Sequence, residues 1–335
     1  MAGEHFPGSA WSTMKVMAIA GAITRRGFGR ALCGAGLSFC GRAASVARLS
    51  WGDESGAAST RERRYRADAQ ILLLSVPLLH RQGVGGGSVL WRDWSEAGAT
   101  LRLLEFDGYS LPARAAGLNR LGFIREMSRV VEAKTVESIY FGLMTASPEE
   151  SAEQASKALH STAKEQTYTV IDGRIIPSGS EASVAHFAAP AALSALQRPE
   201  LMERARKALA AEAKVAPGPA ATSDGAQGFL AALADMLLRP ECRQSSYVYS
   251  GRLYWLWVTR AVDAKATAYF RERQLVAKSG SVIRVGGRLR RQQGGKDIEF
   301  RLWVEQPAER PLPLRIEYQA KSYLRLVFEA EPTRL

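Results

Sequence analysis

Asp297-Ile298-Glu299-Phe300-Arg301-Leu302-Trp303-Val304-Glu305 is apolar at every even position, Ile298, Phe300, Leu302 and Val304, and charged at Asp297, Glu299, Arg301 and Glu305. Successive side chains of an extended chain point to opposite faces, so this spacing predicts a strand with one dry and one wet face, as in a half-buried antiparallel sheet. The phase returns in LPLRIEY (312–318), with Leu312, Leu314 and Ile316 inward, and in SYLRLVFEA (322–330), with Leu324, Leu326 and Phe328 inward. Trp303 stands on the charged face, where a tryptophan marks a partner, a covering loop, a ligand edge or ordinary cross-strand packing.

Working back toward the amino terminus, SYVYSGRLYWLWVTR (246–260) puts Tyr247, Tyr249, Leu253, Trp255 and Trp257 at odd positions and Ser250, Arg252 and Arg260 at even ones. Tyr249, Trp255 and Trp257 are therefore expected on the inner face, as core or, with Trp303, as candidate ligand-binding residues. Turns at Gly286-Gly287, Gly294-Gly295 and Pro307 to Pro311 join four or five such strands into one twisted sheet. Its apolar side must be covered. Each fully buried Leu, Ile or Phe contributes roughly 1.5–3 kcal/mol, so a dozen left in water could not be offset within a net stability on the order of 5–15 kcal/mol.

The covering elements are sought in the Ala- and Leu-rich stretch between Pro190 and Pro240. One helix is predicted from Pro199 to Lys214. A second runs from Gly225 to Arg239, capped by Asp224 with Gln227 three residues later. Upstream, strands are expected through ILLLSVPLL (71–79), breaking at the glycine cluster 82–88, and over Thr100–Phe106, Leu121–Val131, Val136–Thr145, Thr167–Ile176 and Ala182–Phe187. A helix is predicted from Ser147-Pro148-Glu149-Glu150 to His160. The fold class expected is α+β, an antiparallel curved β-sheet or open half-barrel with a few packed helices. Its parts are a leader over 1–47, a disordered linker over 48–64, a β-rich part over 65–187, a helical segment over 188–241 and an antiparallel part over 242–332; residues 65–332 can form one domain.

Thr24-Arg25-Arg26-Gly27-Phe28-Gly29-Arg30, then ALCGAGLSF and the small residues Ser45-Val46-Ala47, resembles a twin-arginine export signal in which Arg25, Arg26 and Phe28 carry the motif. A basic leader on a cytosolic protein is the competing reading, and a lipoprotein signal at Cys40 fits poorly behind Phe39. Of the net charge of +12, about +10 lies between Cys242 and Arg325. Its arginines are spread singly along alternating segments, except for Arg288, Arg290 and Arg291, so solvated strand faces are expected and nucleic acid is an unlikely partner. Ala69–Leu79 is the longest apolar run and falls short of the 18 or so residues of a membrane helix, which excludes a bundle of them.

Nothing along the chain spells out a reaction. The three cysteines contain no CxxC pair and the histidines at 5, 80, 160 and 186 lack ligand spacing, so neither a metal nor another cofactor is expected. The glycine cluster carries Ser88 at the third position of GxGxxG and continues as a strand, against a phosphate loop. His80 with Asp93 or Asp107, or a site assembled from His80, His186 and Asp172, is the enzymatic alternative.

Together, RLWVE (301–305), the proline-bracketed Pro313-Leu314-Arg315-Ile316-Glu317, the closing SYLRLVFEA and the leucine-rich helix leading into YVYSGRLYWLWV resemble an uncharacterised family of exported Gram-negative bacterial proteins over Ala231 to Ala330. The resemblance implies a fold related to the lipoprotein-carrier half-barrels of the cell envelope. The expectation is an exported, non-enzymatic protein that binds an apolar or amphipathic molecule, or a lipid or protein of the envelope.

Overall fold

The computed structural model describes residues 49–51, 59–73, 76–115, 119–146, 165–191, 193, 197–221, 224–295, 297–321 and 324–332. The first half is a meander: β1 (Ser59–Leu73), β2 (Val76–Glu96), β3 (Ala99–Ser110), β4 (Leu121–Val131), β5 (Lys134–Thr145), β6 (Glu165–Ile176) and β7 (Gly179–Pro190), each antiparallel to the last, with β8 (Lys214–Gly218) added at the edge. The second half repeats the plan with β9 (Gln244–Tyr249), β10 (Arg252–Val262), β11 (Ser281–Arg291), β12 (Ile298–Gln306), β13 (Pro313–Lys321) and β14 (Leu324–Ala330). Pairing of β14 with β1, Tyr65 opposite Ala330 and Ala69 opposite Leu326, fuses both halves into one 14-stranded sheet with the order β8-β7-β6-β5-β4-β3-β2-β1-β14-β13-β12-β11-β10-β9.

This sheet curls until its ends meet. A Cβ on Gly218 of β8 would stand 2.8 Å from the Cα of Gly251 in the β9–β10 turn. The result is a nearly closed barrel, more β-rich than the expected α+β class and more closed than a half-barrel. The missing information was the β1–β14 ladder, whose partners stand about 260 residues apart along the chain.

Among the described residues three helices accompany the sheet. Helix α1 (Arg198–Glu212) lies on the outer face, where Leu201 and Ala205 pack with Phe123, Leu143, Tyr168 and Val170. Helix α2 (Phe229–Leu238) is apolar nearly all round, the composition of an element surrounded by protein, and Phe229, Ala232, Met236 and Leu237 join the barrel-interior core. Helix α3 (Ala264–Glu272) connects β10 to β11 and caps a cluster of Phe270, Val276, Val282, Trp303 and Leu314 on the outside.

Several local expectations change. β2 continues through the glycine cluster with a bulge there, its register to β1 shifting between Ala67–Gly85 and Ala69–Arg81 with Gly83 at a φ of 62°, and Leu73 at the end of β1 pairs with Val76 at the start of β2. Glycine is required in the cluster by close approach: a Cβ on Gly85 would meet the Tyr109 carbonyl oxygen at 1.9 Å. Residues 59–64 of the expected linker belong to β1. Lys214, predicted to end a helix, begins β8. Leu314 turns outward under α3 because a register shift between Trp303 and Val304 interrupts the alternation. The twin-arginine stretch with Arg25, Arg26 and Phe28, and the helix predicted from Ser147 to His160, lie outside the described residues.

Candidate functional site

Helix α2 does not fill the barrel. Between it and the wall of β2, β3, β12 and β13 remains a cavity of about 90 Å³, lined by Val89, Trp91, Leu104, Phe106, Leu230 and Leu233 among others, with Pro311 to Pro313 along one side. Its lining is almost wholly apolar, and Leu230 and Leu233 are only half-buried. A chamber of this chemistry takes apolar matter and expels water.

The helix is fastened at both ends. At its start no side chain of the local sequence caps it. Glu126 does so from β4: Oε1 accepts from the Gly228 N–H at 2.7 Å, and Oε2 from the N–H groups of Leu230 at 2.8 Å and Ala231 at 3.2 Å. A carboxylate suits the positive end of a helix dipole. Yet Glu126 is fully buried, and burial outweighs the three backbone N–H bonds and the Ser138 hydroxyl, pushing its carboxyl up to about 7. Asp224, the expected cap, accepts instead from the Ser246 N–H at 2.9 Å and hydroxyl at 2.8 Å. At the other end Arg102 bridges Asp93 and Asp235, each at 3.1 Å, with its guanidinium 4.9 Å from the centre of the Trp91 ring. Burial raises the Asp235 carboxyl, against the charges of Arg102 and Arg239.

Beside the chamber stands a tyrosine cluster. Tyr249 stacks on Tyr140 with ring centres 5.2 Å apart, and Tyr247 stacks on Tyr254 at the same spacing. Tyr140 accepts a bond from the Ser250 N–H at 2.9 Å, whereas the buried Tyr249 hydroxyl lies over Gly142 with no hydrogen-bond partner among the described residues. Burial drives both hydroxyls well above their usual range.

The four aromatic candidates do not converge. Tyr249 faces the interior as expected. Trp255 and Trp257 face outward, because the Ser250-Gly251 turn, with φ of 50° and 67°, sets Tyr254 opposite Tyr247 and so hands the inner face to Tyr254, Leu256 and Val258. Trp257 borders a shallow outer depression of about 310 Å³ with Arg301, Gln319 and Arg325, and Arg288 lies 4.8 Å over its ring. Trp303 is 8% exposed beneath α3, and its Nε1–H donates to Asp263 at 2.9 Å. Of the basic cluster, Arg288 and Arg290 pair with Asp297, and Arg291 donates to Gln293.

Nor does the enzymatic alternative assemble. His80 pairs with Asp68 at 3.2 Å rather than with Asp93 or Asp107, which hold Arg102 and Ser88. His186 bonds the Thr169 hydroxyl at 3.0 Å on β6, and Asp172 is held with Trp51. Among the described residues no group of His, Cys, Asp and Glu has metal-binding geometry, and no helix is long and apolar enough to cross a membrane. Glu126 was not foreseen. Its strand is buried on both faces and shows no alternation to mark an inward acid, and its partners come from a helix about 100 residues later.

No family model matches the sequence, and no curated protein matches it. Among solved structures the chain is similar to a beta-barrel-like protein of a domain of unknown function, DUF1849, from Brucella abortus, at 7% identity and a TM-score of 0.44, covering 81% of this chain and 95% of that one.

Proposed function

We propose that this is an exported, non-enzymatic binding protein that takes the chain of an apolar or amphipathic molecule into the chamber beside α2. The observation that carries the reading is a lining nearly free of polar surface, one wall of which is a separate helix rather than a strand of the barrel. A strand is pinned by two ladders. Helix α2 is pinned by Glu126, Arg102 and its own packing, so it is the wall able to move. Movement is needed, because about 90 Å³ is smaller than the roughly 150 Å³ of an engineered cavity that admits benzene.

The test is binding of 1-N-phenylnaphthylamine, which brightens in apolar surroundings, with displacement by a long-chain lipid. Leu233→Glu places a charge on the lining at a half-buried position and is expected to weaken binding about tenfold or more, equivalent to about 1.4 kcal/mol. A protein that leaves the probe dark, or a variant that binds as well as the parent, would remove the chamber from consideration. Export has its own test. Sequencing the amino terminus of the native mature protein is expected to find it cut near Ala47, and an uncut, cytosolic chain would reverse that part of the proposal.

A further inference from the structure

The depression of about 310 Å³ on the outer face lies across β12 and β13 from the chamber. Strand register explains how it forms. Thr259, Gly286, Arg301 and Glu317 make one outward row across β10 to β13, and Trp257, Arg288 and Glu299 make the next. Gly286 leaves a gap in the first row. Neither backbone nor packing demands glycine there: its φ is not left-handed, and the one atom a Cβ would crowd is the rotatable Thr259 hydroxyl, at 2.9 Å. The adjacent Gly287 differs, because a Cβ on it would strike the Phe300 ring at 2.0 Å. Glycine weakens a strand, and one that packing does not require marks a place where something else approaches the sheet.

Around this gap stand cations that their neighbours only partly neutralise. Arg301 is 3.6 Å from Glu317, a carboxylate that Arg315 holds more closely, at 2.6 Å. Arg288 shares Asp297 with Arg290. Arg325, half-buried on β14, takes part in no ion pair or side-chain hydrogen bond among the described residues. Glu299 likewise has no ion pair among them and, with Thr259 and Gln319, adds polar atoms to the lining. Trp257 closes one side, its ring fixed by Nε1–H donation to Gln244 at 3.1 Å and by Arg288 over it.

We propose that this depression binds a sugar phosphate, its phosphate among Arg288, Arg301 and Arg325 and its hydroxyls toward Glu299, Thr259 and Gln319. Guanidiniums arriving from three strands suit the several oxygens of a phosphate better than the two coplanar oxygens of a carboxylate. Glu299 repels a ligand that is only an anion, so the ligand must also bring donors, and sugar hydroxyls are donors. Trp257 offers apolar surface to the C–H groups of the ring. A volume of about 310 Å³ is at the low end of small-molecule sites, roughly 300–1,000 Å³, and holds one ring with its phosphate rather than a chain of sugars. The site goes beyond the chamber reading and shares no lining side chain with it on this outer face.

Calorimetric titration of the full chain with hexose 1-phosphates and 6-phosphates, beside glucose and inorganic phosphate, tests the proposal. A hexose phosphate is expected to bind about tenfold or more tighter than either glucose or phosphate alone. Gly286→Val fills the gap with a residue that strands favour, and is expected to abolish binding while the thermal midpoint holds. Arg325→Gln removes a charge without stranding a partner, and is expected to weaken binding about tenfold. Inorganic phosphate that binds as tightly as every hexose phosphate would overturn the sugar assignment. No binding by any hexose phosphate, or binding unchanged in Arg325→Gln, would overturn the site; if Gly286→Val does not fold, Arg325→Gln decides alone. Phenylnaphthylamine uptake is expected to be the same in Arg325→Gln as in the parent, so the outer site and the chamber stand or fall separately.

Discussion

Trp303→Ala is expected to destabilise the protein by about 3–5 kcal/mol, the range for removing a large buried aromatic. Although alternation puts Trp303 on the charged face of β12, the helix between β10 and β11 converts that spot into a second core, where the indole meets Phe270, Val276, Val282 and Leu314. Its Nε1–H donates to Asp263, which also caps α3 by accepting from the Ala266 N–H at 2.9 Å. The same two donors, Ala266 first and Trp303 second, hold the Asp263 carboxyl below the usual range. Arg315 covers the ring at 5.2 Å. One substitution thus empties the cluster and loosens the cap. The urea midpoint should fall with little change in slope, and Trp303→Phe should recover most of the loss. Loss of phenylnaphthylamine binding with no loss of stability would instead place Trp303 at a ligand edge.

Arg102→Met should cost a similar amount, about 3–5 kcal/mol, for an electrostatic reason. Arg102 is 11% exposed in its side chain and faces two carboxylates; removing its charge leaves Asp235 buried on α2 with Arg239 at 3.6 Å, on the half-exposed side, as its remaining cation. The methionine keeps the packing over Trp91 but not the bridge. Without that cation the Asp235 carboxyl rises further, so the deficit is largest at neutral pH and shrinks in acid, as Asp235 becomes neutral. Adding Asp235→Asn should return much of the stability, because it removes the stranded charge. Equal and additive losses from the two substitutions, measured by denaturation of both singles and the double, would show that the bridge is not coupled.

The two predictions differ in what made them visible. For Arg102 and Asp235, neither residue stands in a pattern that names the other; they meet only because β3 and α2 cross inside the barrel. For Trp303, the sequence flagged an anomaly correctly, an aromatic among charges, and left open what covers it. The Asp263 cap of α3 was legible in principle, since an Asp before Ala264-Lys265-Ala266 is an N-cap pattern. Trp255 and Trp257 were misplaced for a reason confined to two residues. Counting by twos through Ser250 and Gly251 assumes a continuous strand, and a turn there reverses the chain and resets the phase. Glu126 lay beyond any local rule, because a strand covered on both faces conceals which of its polar side chains points inward.

Periodicity alone determined the character of the elements in the C-terminal part: a strand of period two declares its dry face, and β12 and β14 turned inward the residues their alternation named, all of them buried except the half-buried Ile298. It determined as well that other segments would be needed to cover that face. Tertiary structure decided that the two β-rich parts are one sheet, that the sheet closes almost fully, and that the covering helix sits inside it on the carboxylate of a distant strand. The physical reason is range. Alternation and capping act between residues a few positions apart and are written in the local chain, whereas ladder closure and the seating of a helix on a buried carboxyl group depend on which distant segments share a volume, and only the folded chain specifies that.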